Sequence, residues 1–346
     1  MRALIASYRL RFRRPFAIAH GTRDGTDSVF IRIDHNDLSG YGEATIPPYL
    51  GSTARSVVED LTAWVGRAQR DEDPAMAIAR LEELNGNTPA RNALSMALID
   101  LQCKRSYIPV YQYLKSYETG LPITLVTLGI GSTEDLHERI AELPSSGALK
   151  IKLGGERDDA VLRMLANIDA RPLFLDANRS LRSVGQVVQL LEAAGPSNVI
   201  GLEQPFPEQE FAKFAELKSL GLVPVYGDES VQDITDLARW AEVLDGVNIK
   251  LMKCGGLDRA RDMVAASRSA GLSVMLGSMS ESSLGCTAMA HLASAADVVD
   301  LDGPWLLEND PFKGLGMDAA GRMILPGGSG IGADLIGDLA FEMIGA

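Results

Sequence analysis

Short apolar runs, each ending in a charged residue, recur through the middle of this chain at nearly constant spacing. Lys152, Asp176, Glu203, Asp228 and Lys250 each close or directly follow such a run, and successive members stand 24, 27, 25 and 22 residues apart. A parallel strand followed by a helix and its two connections takes up a segment of this kind. The spacing therefore predicts parallel strands joined by helices, with the charged residues at the carboxyl ends of the strands.

The whole segment from residue 122 onward follows this alternation. Eight strands are predicted, at 123–128, 148–153, 172–177, 199–203, 223–227, 247–251, 273–277 and 298–301. Seven helices are predicted between them, at 133–145, 156–170, 183–194, 209–220, 233–244, 257–270 and 283–295. This order favours a parallel (β/α) barrel. A doubly wound open sheet is the alternative, and it is weakened because no Gly-rich phosphate loop follows the first strand.

The N-terminal part has a different pattern. Apolar and charged residues alternate at 2–14 and 28–34, and Gly40–Glu43 completes a hairpin-like unit. Helical patterns follow at 53–69, 74–84 and 90–105. The sequence thus predicts an α+β domain over 1–118, a barrel over 119–309, and a tail over 310–346. The tail is Gly-rich and then helical in pattern, and we expect it to pack back on the first domain.

Composition and charge exclude several partners. The chain has 346 residues and a formal net charge of −13, and its one cluster of basic residues alternates with apolar ones like the polar face of a strand. We therefore expect no nucleic-acid partner. The segment 268–297 is poor in charge but rich in Ser and Gly, so we expect no membrane span there. The basic cluster consists of Arg9, Arg11, Arg13 and Arg14.

Cysteine usage and the N-terminus bear on the compartment. Cys103, Cys254 and Cys286 are far apart and odd in number, and no CxxC pattern occurs. A disulfide framework is therefore not expected. The N-terminus lacks the apolar core of a signal peptide. Together these features predict a cytoplasmic protein.

Carboxylates at the mouth of a barrel are unstable unless they are paired or bind a metal. Asp176, Glu203 and Asp228 offer three hard oxygen ligands, with no His or Cys among them. Such a set favours Mg²⁺, or Mn²⁺, over Zn²⁺. The sequence therefore predicts a divalent-metal site at this end of the barrel.

Three lysines accompany the carboxylates. Lys150 and Lys152 alternate on one strand and so face the same side, and Lys250 comes from the sixth strand, across the barrel. A lysine acts as a base when its pKa falls from ~10.4 toward neutrality. We expect a divalent cation and a second lysine to lower it. Bases on opposite faces of a bound carbon are the geometry of a racemase or epimerase.

Other catalytic arrangements are not supported. None of the four histidines lies at a predicted strand end, and His291 falls in a helical pattern that indicates a structural role. No Gly-x-Ser-x-Gly motif is present. Glu281 follows the seventh strand, and we expect it to support the site from behind. The histidines are His20, His35, His137 and His291.

The motifs at these strand ends resemble those of the enolase superfamily, muconate-lactonizing subgroup, over essentially the whole chain. They are Lys150-Ile-Lys152, Asp176-Ala-Asn178, Glu203-Gln-Pro205, Asp228-Glu-Ser230 and Asn248-Ile-Lys250. The resemblance implies a modified TIM (β/α) barrel with an N-terminal α+β capping domain completed by the C-terminal tail.

The resemblance also implies roles for single residues. Mg²⁺ would be held by the three carboxylates, with Lys152 and Lys250 as the acid/base pair and Lys150 stabilising the enolate. We expect neighbouring residues to orient these groups. They are Asn178, Asn248, Glu229 and Glu281.

The eighth strand distinguishes reactions within the subgroup. Asp300-Leu-Asp302 is similar to the dipeptide epimerases, in which such a pair binds the α-ammonium group of the substrate. Alternate residues face one way on a strand, and two carboxylates suit a cation. The alternative for these aspartates is solvation of a strand end or a helix cap.

Among dipeptide epimerases the chain most resembles those acting on L-Ala-D/L-Glu. The supporting segments are 15–23, 42–45 and 90–94. Arg23 is the candidate for holding the glutamate side chain, and Ser278 is a further candidate substrate contact. Some relatives have an arginine where this chain has His20 or Gly21. A different side-chain preference therefore stays open, as does a substrate contact by His20.

Other functions compatible with the pattern are muconate cycloisomerisation, o-succinylbenzoate synthesis and a non-catalytic binding barrel. The first two substrates lack an ammonium group and so give Asp300 and Asp302 no purpose. The resemblance further implies murein-peptide recycling, and it leaves a homo-oligomer open beside a monomer.

Overall fold

The N-terminal residues form an antiparallel sheet. The computed structural model of the protein describes residues 1–68, 73–84, 86–117, 121–143, 147–318 and 320–345. Strands β1 (Arg2–Ile18), β2 (Gly21–His35) and β3 (Leu38–Thr45) pair in chain order. The β1–β2 hairpin continues past an irregularity in register between Arg11 and Phe16. Its tip projects beyond the rest of the sheet because β3 pairs with β2 only over residues 28–35.

Helices cover one face of this sheet. They are α1 (Ala54–Ala68), α2 (Pro74–Ala79), α3 (Thr88–Arg105) and the short α4 (Val110–Tyr113), with 3₁₀ turns at Pro48–Leu50 and Leu81–Glu83. Helix α3 begins where the Asn87 side chain accepts a hydrogen bond from the Ala90 N–H. Most of its side chains are buried, because Ala93 and Ala97 pack on the sheet core while Met96 and Ile99 pack on the barrel core.

Eight parallel strands follow within the described residues and form one sheet. They are β4 (Val126–Leu128), β5 (Leu149–Lys152), β6 (Leu173–Asp176), β7 (Val199–Glu203), β8 (Val225–Gly227), β9 (Gly246–Lys250), β10 (Ser273–Gly277) and β11 (Val298–Asp300). Their spatial order is their chain order. A parallel bridge between Thr124 and Val299 joins the first strand to the last, so the predicted barrel is confirmed.

A helical segment follows each of these strands. They are α5 (Thr133–Ala141), α6 (Asp158–Ile168), α7 (Val184–Ala194), α8 (Phe211–Leu220), α9 (Leu237–Trp240), α10 (Leu251–Cys254), α11 (Leu257–Ser269), α12 (Ser283–Ala290) and α13 (Gly303–Leu306), with 3₁₀ turns at Pro196–Asn198, Ile234–Asp236 and Ala293–Ala295. The helix predicted over 233–244 is thus only one 3₁₀ turn followed by the four-residue α9. Among the described residues, no helix is both long and apolar enough to cross a membrane.

The floor of the barrel is a layer of four side chains from alternate strands. Leu125, Phe174, Tyr226 and Met275 form a separate buried cluster, and the two rings meet edge to face at 5.2 Å between centroids. A glycine makes room for each ring, since a Cβ at Gly201 would lie 2.3 Å from the Phe174 ring. This packed layer closes the barrel, so charged side chains are confined to the strand ends above it.

The C-terminal tail differs from its prediction. In place of a helix, the part of 310–345 that is described contains β12 (Phe312–Lys313), β13 (Gly316–Met317), β14 (Met323–Ile324), β15 (Asp334–Leu335) and β16 (Glu342–Ile344). Strand β16 pairs antiparallel with β1 at the open edge of the first sheet. The unpaired hydrogen-bonding groups of that edge favour a strand over a helix.

Several predicted boundaries fall outside the described residues. The division between 118 and 119 lies in the segment 118–120, so this domain limit stays a prediction. The predicted helix ends at 69 and at 144–145, and the tail positions 319 and 346, also lie outside the described residues.

Candidate active site

Strand register brings three of the predicted residues side by side. Lys152 pairs with Asp176 across β5 and β6, and Asp176 pairs with Glu203 across β6 and β7. Lys250 ends β9, and Asp228 directly follows β8. Because all eight strands run the same way, these residues meet at one mouth of the barrel.

Lys150 lies at the centre of the carboxylate group. Its Nζ is 2.6 Å from Asp300 Oδ2, 2.7 Å from Glu203 Oε2 and 3.1 Å from Asp176 Oδ2, and its side chain is 1 % exposed. Lys152 Nζ lies 2.6 Å from the same Asp176 oxygen. A buried ammonium at this position is stable only because several carboxylates surround it.

A fourth lysine, absent from the sequence prediction, holds the third carboxylate. Lys253 Nζ donates to Asp228 Oδ1 at 2.8 Å and to the Asp228 carbonyl at 2.6 Å. It also donates to the carbonyls of Val231 and Asn248, while Lys250 donates to Asp228 Oδ2 at 2.7 Å. The only signal in the sequence was that Lys253 stands three residues after Lys250. This spacing becomes informative once Lys253 is known to lie on α10.

The pKa values of the carboxylates move in opposite directions. Burial raises the pKa of Asp176, but Lys152 and Lys150 outweigh it and bring that pKa down to about 2. The pKa of Asp228 is likewise lowered, because Lys250 and Lys253 outweigh burial. Burial and the Asp176 charge raise the pKa of Glu203. Two of the three carboxylates are therefore firmly ionised.

Lys150 and Lys250 are strongly held in the charged form. Burial lowers the pKa of Lys250, but Asp228 and Glu203 more than reverse this and raise it overall. Asp300 and Glu203 likewise raise the pKa of Lys150 against its burial. The expected lowering of the pKa is therefore not found at Lys150 or Lys250, whereas burial does lower the pKa of Lys253.

The carboxylates at the barrel mouth offer the oxygen donors that Mg²⁺ prefers. Asp176, Glu203 and Asp228 supply buried oxygen atoms only, and Glu203 Oε2 accepts no hydrogen bond of ordinary geometry despite its contact with Lys150. No three acidic, His or Cys side chains in the described ranges are already gathered as a metal cage. In this structure the lysine ammonium groups lie between the carboxylates and supply the positive charge there. The residues fit a hard divalent cation, because such a cation binds oxygen atoms. One of these oxygen atoms, on Glu203, has no hydrogen-bond partner.

Asp300 and Asp302 lie together at the last strand end. The Thr127 N–H donates to Asp302 Oδ2 at 2.7 Å, and the Thr127 hydroxyl contacts Asp300 Oδ1 at 3.2 Å. Burial and the neighbouring Asp300 charge raise the pKa of Asp302 to about 7. A cation bound between the two carboxylates would relieve this repulsion.

One cavity of about 420 Å³ collects most of the predicted residues. From the barrel it is lined by both proposed acid/base lysines, the two aspartates of the eighth strand, and Asp228, Asn178, Glu229 and Ser278. From the β1–β2 hairpin it is lined by Phe16, Ile18, His20 and Arg23. Lys150, Asp176 and Glu203 are almost fully buried and do not line it. The N-terminal hairpin therefore forms the roof of a cavity whose base is the charged barrel mouth.

Arg23 and His20 both reach this cavity but differ in their partners. The Arg23 guanidinium lies 5.9 Å from the Phe12 ring centroid, and no carboxylate of the described residues forms an ion pair with it. Burial, followed by the Arg9 charge, lowers the pKa of Arg23. His20 Nε2 is already engaged with the Asn178 carbonyl at 2.8 Å. Arg23 is thus the group that lacks an anion.

The residues expected to support the site fall into two groups. Asn248 donates to Glu203 Oε1 at 2.7 Å, and the Asn178 N–H donates to Asp176 Oδ1 at 3.0 Å. Glu229 lies 3.5 Å from Arg179, and burial and Asp228 raise its pKa to about 8. These three residues contact or neighbour the charged mouth.

Glu281 lies in a separate buried cluster, together with Glu43, which the sequence did not indicate as its neighbour. It accepts a hydrogen bond from the Met279 N–H, and burial and Glu43 raise its pKa to about 8. Glu43, on β3, accepts from the Ser282 N–H and the Gly285 N–H at the start of α12. Burial raises the pKa of Glu43 to about 7. This pair joins the N-terminal domain to the loop that carries Ser278.

The fold and this arrangement of lysines and carboxylates define a class of capped β/α-barrel proteins. A family model described as "Enolase C-terminal domain-like" matches residues 135–339, and one described as "Mandelate racemase / muconate lactonizing enzyme, N-terminal domain" matches residues 1–114. The chain belongs to the enolase superfamily, in its mandelate racemase/muconate lactonizing branch. The resemblance seen in the sequence is thereby confirmed.

Individual relatives extend this result. The chain is 31 % identical to L-Ala-D/L-Glu epimerase of Bacteroides thetaiotaomicron, over 91 % of this chain and 83 % of that protein. It is 32 % identical to L-Ala-D/L-amino acid epimerase of Maribacter sp., over 96 % and 99 % respectively. Its fold matches a dipeptide epimerase from Enterococcus faecalis V583, complexed with Mg and L-Leu-L-Tyr, with a TM-score of 0.87, 28 % identity and coverage of 96 % and 98 %.

Proposed function

We propose that this protein is a Mg²⁺-dependent isomerase that epimerises a dipeptide at the α-carbon of its C-terminal residue. The observation that carries the proposal is the single cavity lined by Lys152 and Lys250 together with Asp300 and Asp302. A pair of acid/base groups suits proton exchange at carbon, and a pair of carboxylates suits an ammonium group. A dipeptide carries both a carbon acid and an ammonium group on one small molecule.

The two lysines perform the proton transfer. One lysine, as the free amine, removes the α-proton of the C-terminal residue, and the other, as the ammonium, returns a proton to the opposite face. The number of protons bound by the two lysines together is unchanged. The reverse reaction returns each lysine to its starting protonation state. Mg²⁺ held by Asp176, Glu203 and Asp228 would supply positive charge next to the substrate carboxylate and so make the α-proton more acidic. Lys150 adds a buried positive charge that stabilises the enolate.

The remaining cavity residues orient the substrate. Asp300 and Asp302 bind the N-terminal ammonium, whose positive charge offsets the repulsion between the two carboxylates. Arg23 binds an acidic side chain on the C-terminal residue, because it lines the cavity without an ion-pair partner. We therefore propose L-Ala-D/L-Glu as the principal substrate. The names of the relatives support a dipeptide substrate. One name specifies glutamate and the other specifies amino acids in general, so a dipeptide with another C-terminal residue is the second candidate substrate.

Cycloisomerisation and o-succinylbenzoate synthesis fit the cavity less well. Their substrates offer no ammonium group to Asp300 and Asp302. Asp302 would then lie buried beside Asp300 without an ion-pair partner among the described residues, since Lys150 pairs with Asp300. A non-catalytic barrel fits less well still. Such a protein gains nothing from keeping four buried or nearly buried lysines around four carboxylates at the mouth.

The decisive experiment is proton exchange in D₂O. Enzyme, Mg²⁺ and L-Ala-L-Glu are incubated, and deuterium at the glutamate α-carbon is measured by mass spectrometry, with Lys152→Ala as the control. We expect deuterium to enter with the wild type, and we expect the variant to lose epimerisation, since Lys250 alone can exchange the proton on only one face of the α-carbon. Exchange only into other dipeptides would move the specificity away from glutamate. A lack of exchange in every dipeptide would contradict the proposal.

We further propose that the protein acts in the cytoplasm, in the recycling of murein peptides. The described cysteines are unpaired and buried, as expected in a reducing compartment. Fractionation of the native cells, with the protein detected by antibody, would test the location. Accumulation of L-Ala-D-Glu after deletion of the coding sequence would test the process.

A further inference from the structure

A second cavity of about 400 Å³ adjoins the first and has no part in the chemistry proposed above. Four residues line both cavities: Phe16, Thr127, Asp302 and Leu306. The boundary between the cavities therefore lies at the aspartate assigned to the substrate ammonium. Anything anchored at Asp302 is within reach of both spaces.

The second cavity is built from apolar side chains. Phe12, Val126, Leu128, Leu143 and Trp305 line it, together with Phe16 and Leu306 at the boundary. Val126, Leu143 and Trp305 are only partly buried, so a concave apolar surface remains open to water. A recess of this kind gains free energy when an apolar group displaces its water.

Apart from Asp302 at the boundary, most of the charged residues that line this cavity are already paired. Arg14 forms an ion pair with Glu142 at 2.8 Å, and Arg139 forms one with Asp135 at 3.4 Å. Arg13 lines the cavity as well but is exposed to water. The interior thus favours an uncharged occupant over a charged one.

Strand alternation explains why this space is separate from the barrel mouth. On β4, Thr127 faces Asp300 and Asp302, whereas Val126 and Leu128 face the opposite side. The second cavity therefore lies on the outer side of β4, between α5 and the α13 segment. Phe16 and Leu306, at the carboxyl end of the strand, line both spaces.

We infer that the second cavity receives the side chain of the N-terminal residue of the dipeptide, and that this side chain can be large and apolar. The inference rests on the proposed function. The ammonium nitrogen and Cβ of an amino acid are bonded to the same carbon and lie only about 2.5 Å apart. An ammonium held at Asp302 therefore places its own side chain at the boundary of the apolar space. Substrates of the class L-Leu-L-Xaa or L-Phe-L-Xaa fit, in addition to those that begin with alanine.

The test compares dipeptides that differ only in the N-terminal residue. The C-terminal residue is fixed as the one best exchanged in the L-Ala series, and kcat/KM is measured for N-terminal Ala, Leu, Phe and Asp by deuterium exchange. The ratio of the Leu or Phe peptide to the Ala peptide is the readout. Val126→Phe fills the cavity, and Trp305→Ala enlarges it. Ile200→Phe is the matched control, because Ile200 is 42 % exposed on β7, away from both cavities.

We expect Val126→Phe to lower the Leu/Ala and Phe/Ala ratios about ten-fold or more, as happens when a hydrophobic pocket loses room for one or more methylene groups. Trp305→Ala should raise the Phe/Ala ratio, and Ile200→Phe should leave both ratios unchanged. Circular dichroism and thermal unfolding verify that each variant is folded. If wild type exchanges dipeptides but both cavity variants keep its ratios, the inference is wrong and the proposed function stands. If wild type exchanges no dipeptide, both are wrong.

Discussion

Lys150 Nζ donates a 2.6 Å hydrogen bond to Asp300 Oδ2, joining β5 and β11, the two strands that flank β4 at the barrel mouth. The same ammonium lies 2.7 Å from Glu203 Oε2. One buried lysine thus connects the carboxylates proposed for the metal with the pair proposed for the substrate ammonium. Binding of a cation at either end changes the balance of charge felt at the other.

The first prediction concerns the two proposed proton-transfer groups. Lys152→Ala and Lys250→Ala should each lower epimerisation by about 10²–10⁴-fold, the usual contribution of a general acid or base. Each variant should still exchange the α-proton of one epimer, because the remaining lysine serves one face of the α-carbon. Deuterium incorporation measured separately for the LL and LD epimers checks this. Equal exchange of both epimers in either variant would contradict the two-base assignment.

The second prediction concerns Arg23, which lines the cavity without an ion-pair partner among the described residues. Arg23→Gln should raise the KM for L-Ala-L-Glu about 10–100-fold, the loss expected for one charge-assisted hydrogen bond. The KM for L-Ala-L-Gln should change little. Arg23→Lys tests whether charge alone suffices, and His20→Ala tests the alternative contact. Equal losses for both peptides in Arg23→Gln would assign Arg23 to the structure of the hairpin.

The third prediction concerns the ammonium site. Asp302→Asn keeps the hydrogen bond from the Thr127 N–H but removes a negative charge. The KM for a free dipeptide should rise about 10–100-fold. Wild type should strongly prefer the free peptide over its N-acetyl derivative, and the variant should lose most of that preference. An unchanged preference would leave Asp302 only with the role of accepting the hydrogen bond from the Thr127 N–H.

The fourth prediction concerns Lys253, which is 2 % exposed and donates to four oxygen atoms. Lys253→Met should lower the free energy of unfolding by about 3–5 kcal/mol, because Asp228 stays buried without one of its two cations. Urea denaturation measures this loss. The control Lys313→Met, at an exposed position, should change stability by less than about 0.5 kcal/mol. Similar stabilities for the two variants would show that Lys253 is dispensable.

The fifth prediction concerns pH and the pair of buried glutamates. The pKa of Glu281 is raised to about 8, chiefly by burial and then by Glu43. Since its pKa in the unfolded chain is about 4.3, the folded state binds the extra proton between these values. The free energy of unfolding should therefore fall as pH rises from about 5 to 8. Glu281 alone should account for a fall of about 4 kcal/mol in the free energy of unfolding, which is close to the free energy equivalent of the shift in its pKa.

Glu281→Gln tests this sign. The amide mimics the protonated acid, so the variant should match wild type near pH 5 and exceed its stability near pH 8.5. Urea denaturation at the two pH values measures the difference. A difference between variant and wild type that does not change with pH would mean that Glu281 does not titrate in this range.

Much of the site could be predicted because strand ends leave a local signal. An apolar run followed by Lys152, Asp176 or Glu203 places that residue on a strand whose direction and neighbours follow from the barrel. Lys253 and Glu43 left no such signal. Lys253 comes from a helix of four residues, and Glu43 belongs to another sheet, 239 residues before the Ser282 that it contacts.

The tail and one helix were mispredicted for a related reason. Local composition favoured helix in both, but edge pairing with β1 made the end of the chain a strand. In the predicted helix over 233–244, a capping box at Asp233 and Asp236 begins a 3₁₀ turn, and only Leu237–Trp240 continue as α-helix.

By itself, the sequence determined the order of the strands, the residues at their carboxyl ends and the family, because these depend on periodicity within short segments. Tertiary structure alone decided that Lys150 reaches Asp300, that Arg23 lacks an ion-pair partner among the described residues, and that a second apolar cavity opens beside Asp302. The first and the last of these depend on contacts between segments more than 100 residues apart. Such contacts arise from packing of the whole chain, which no local pattern records.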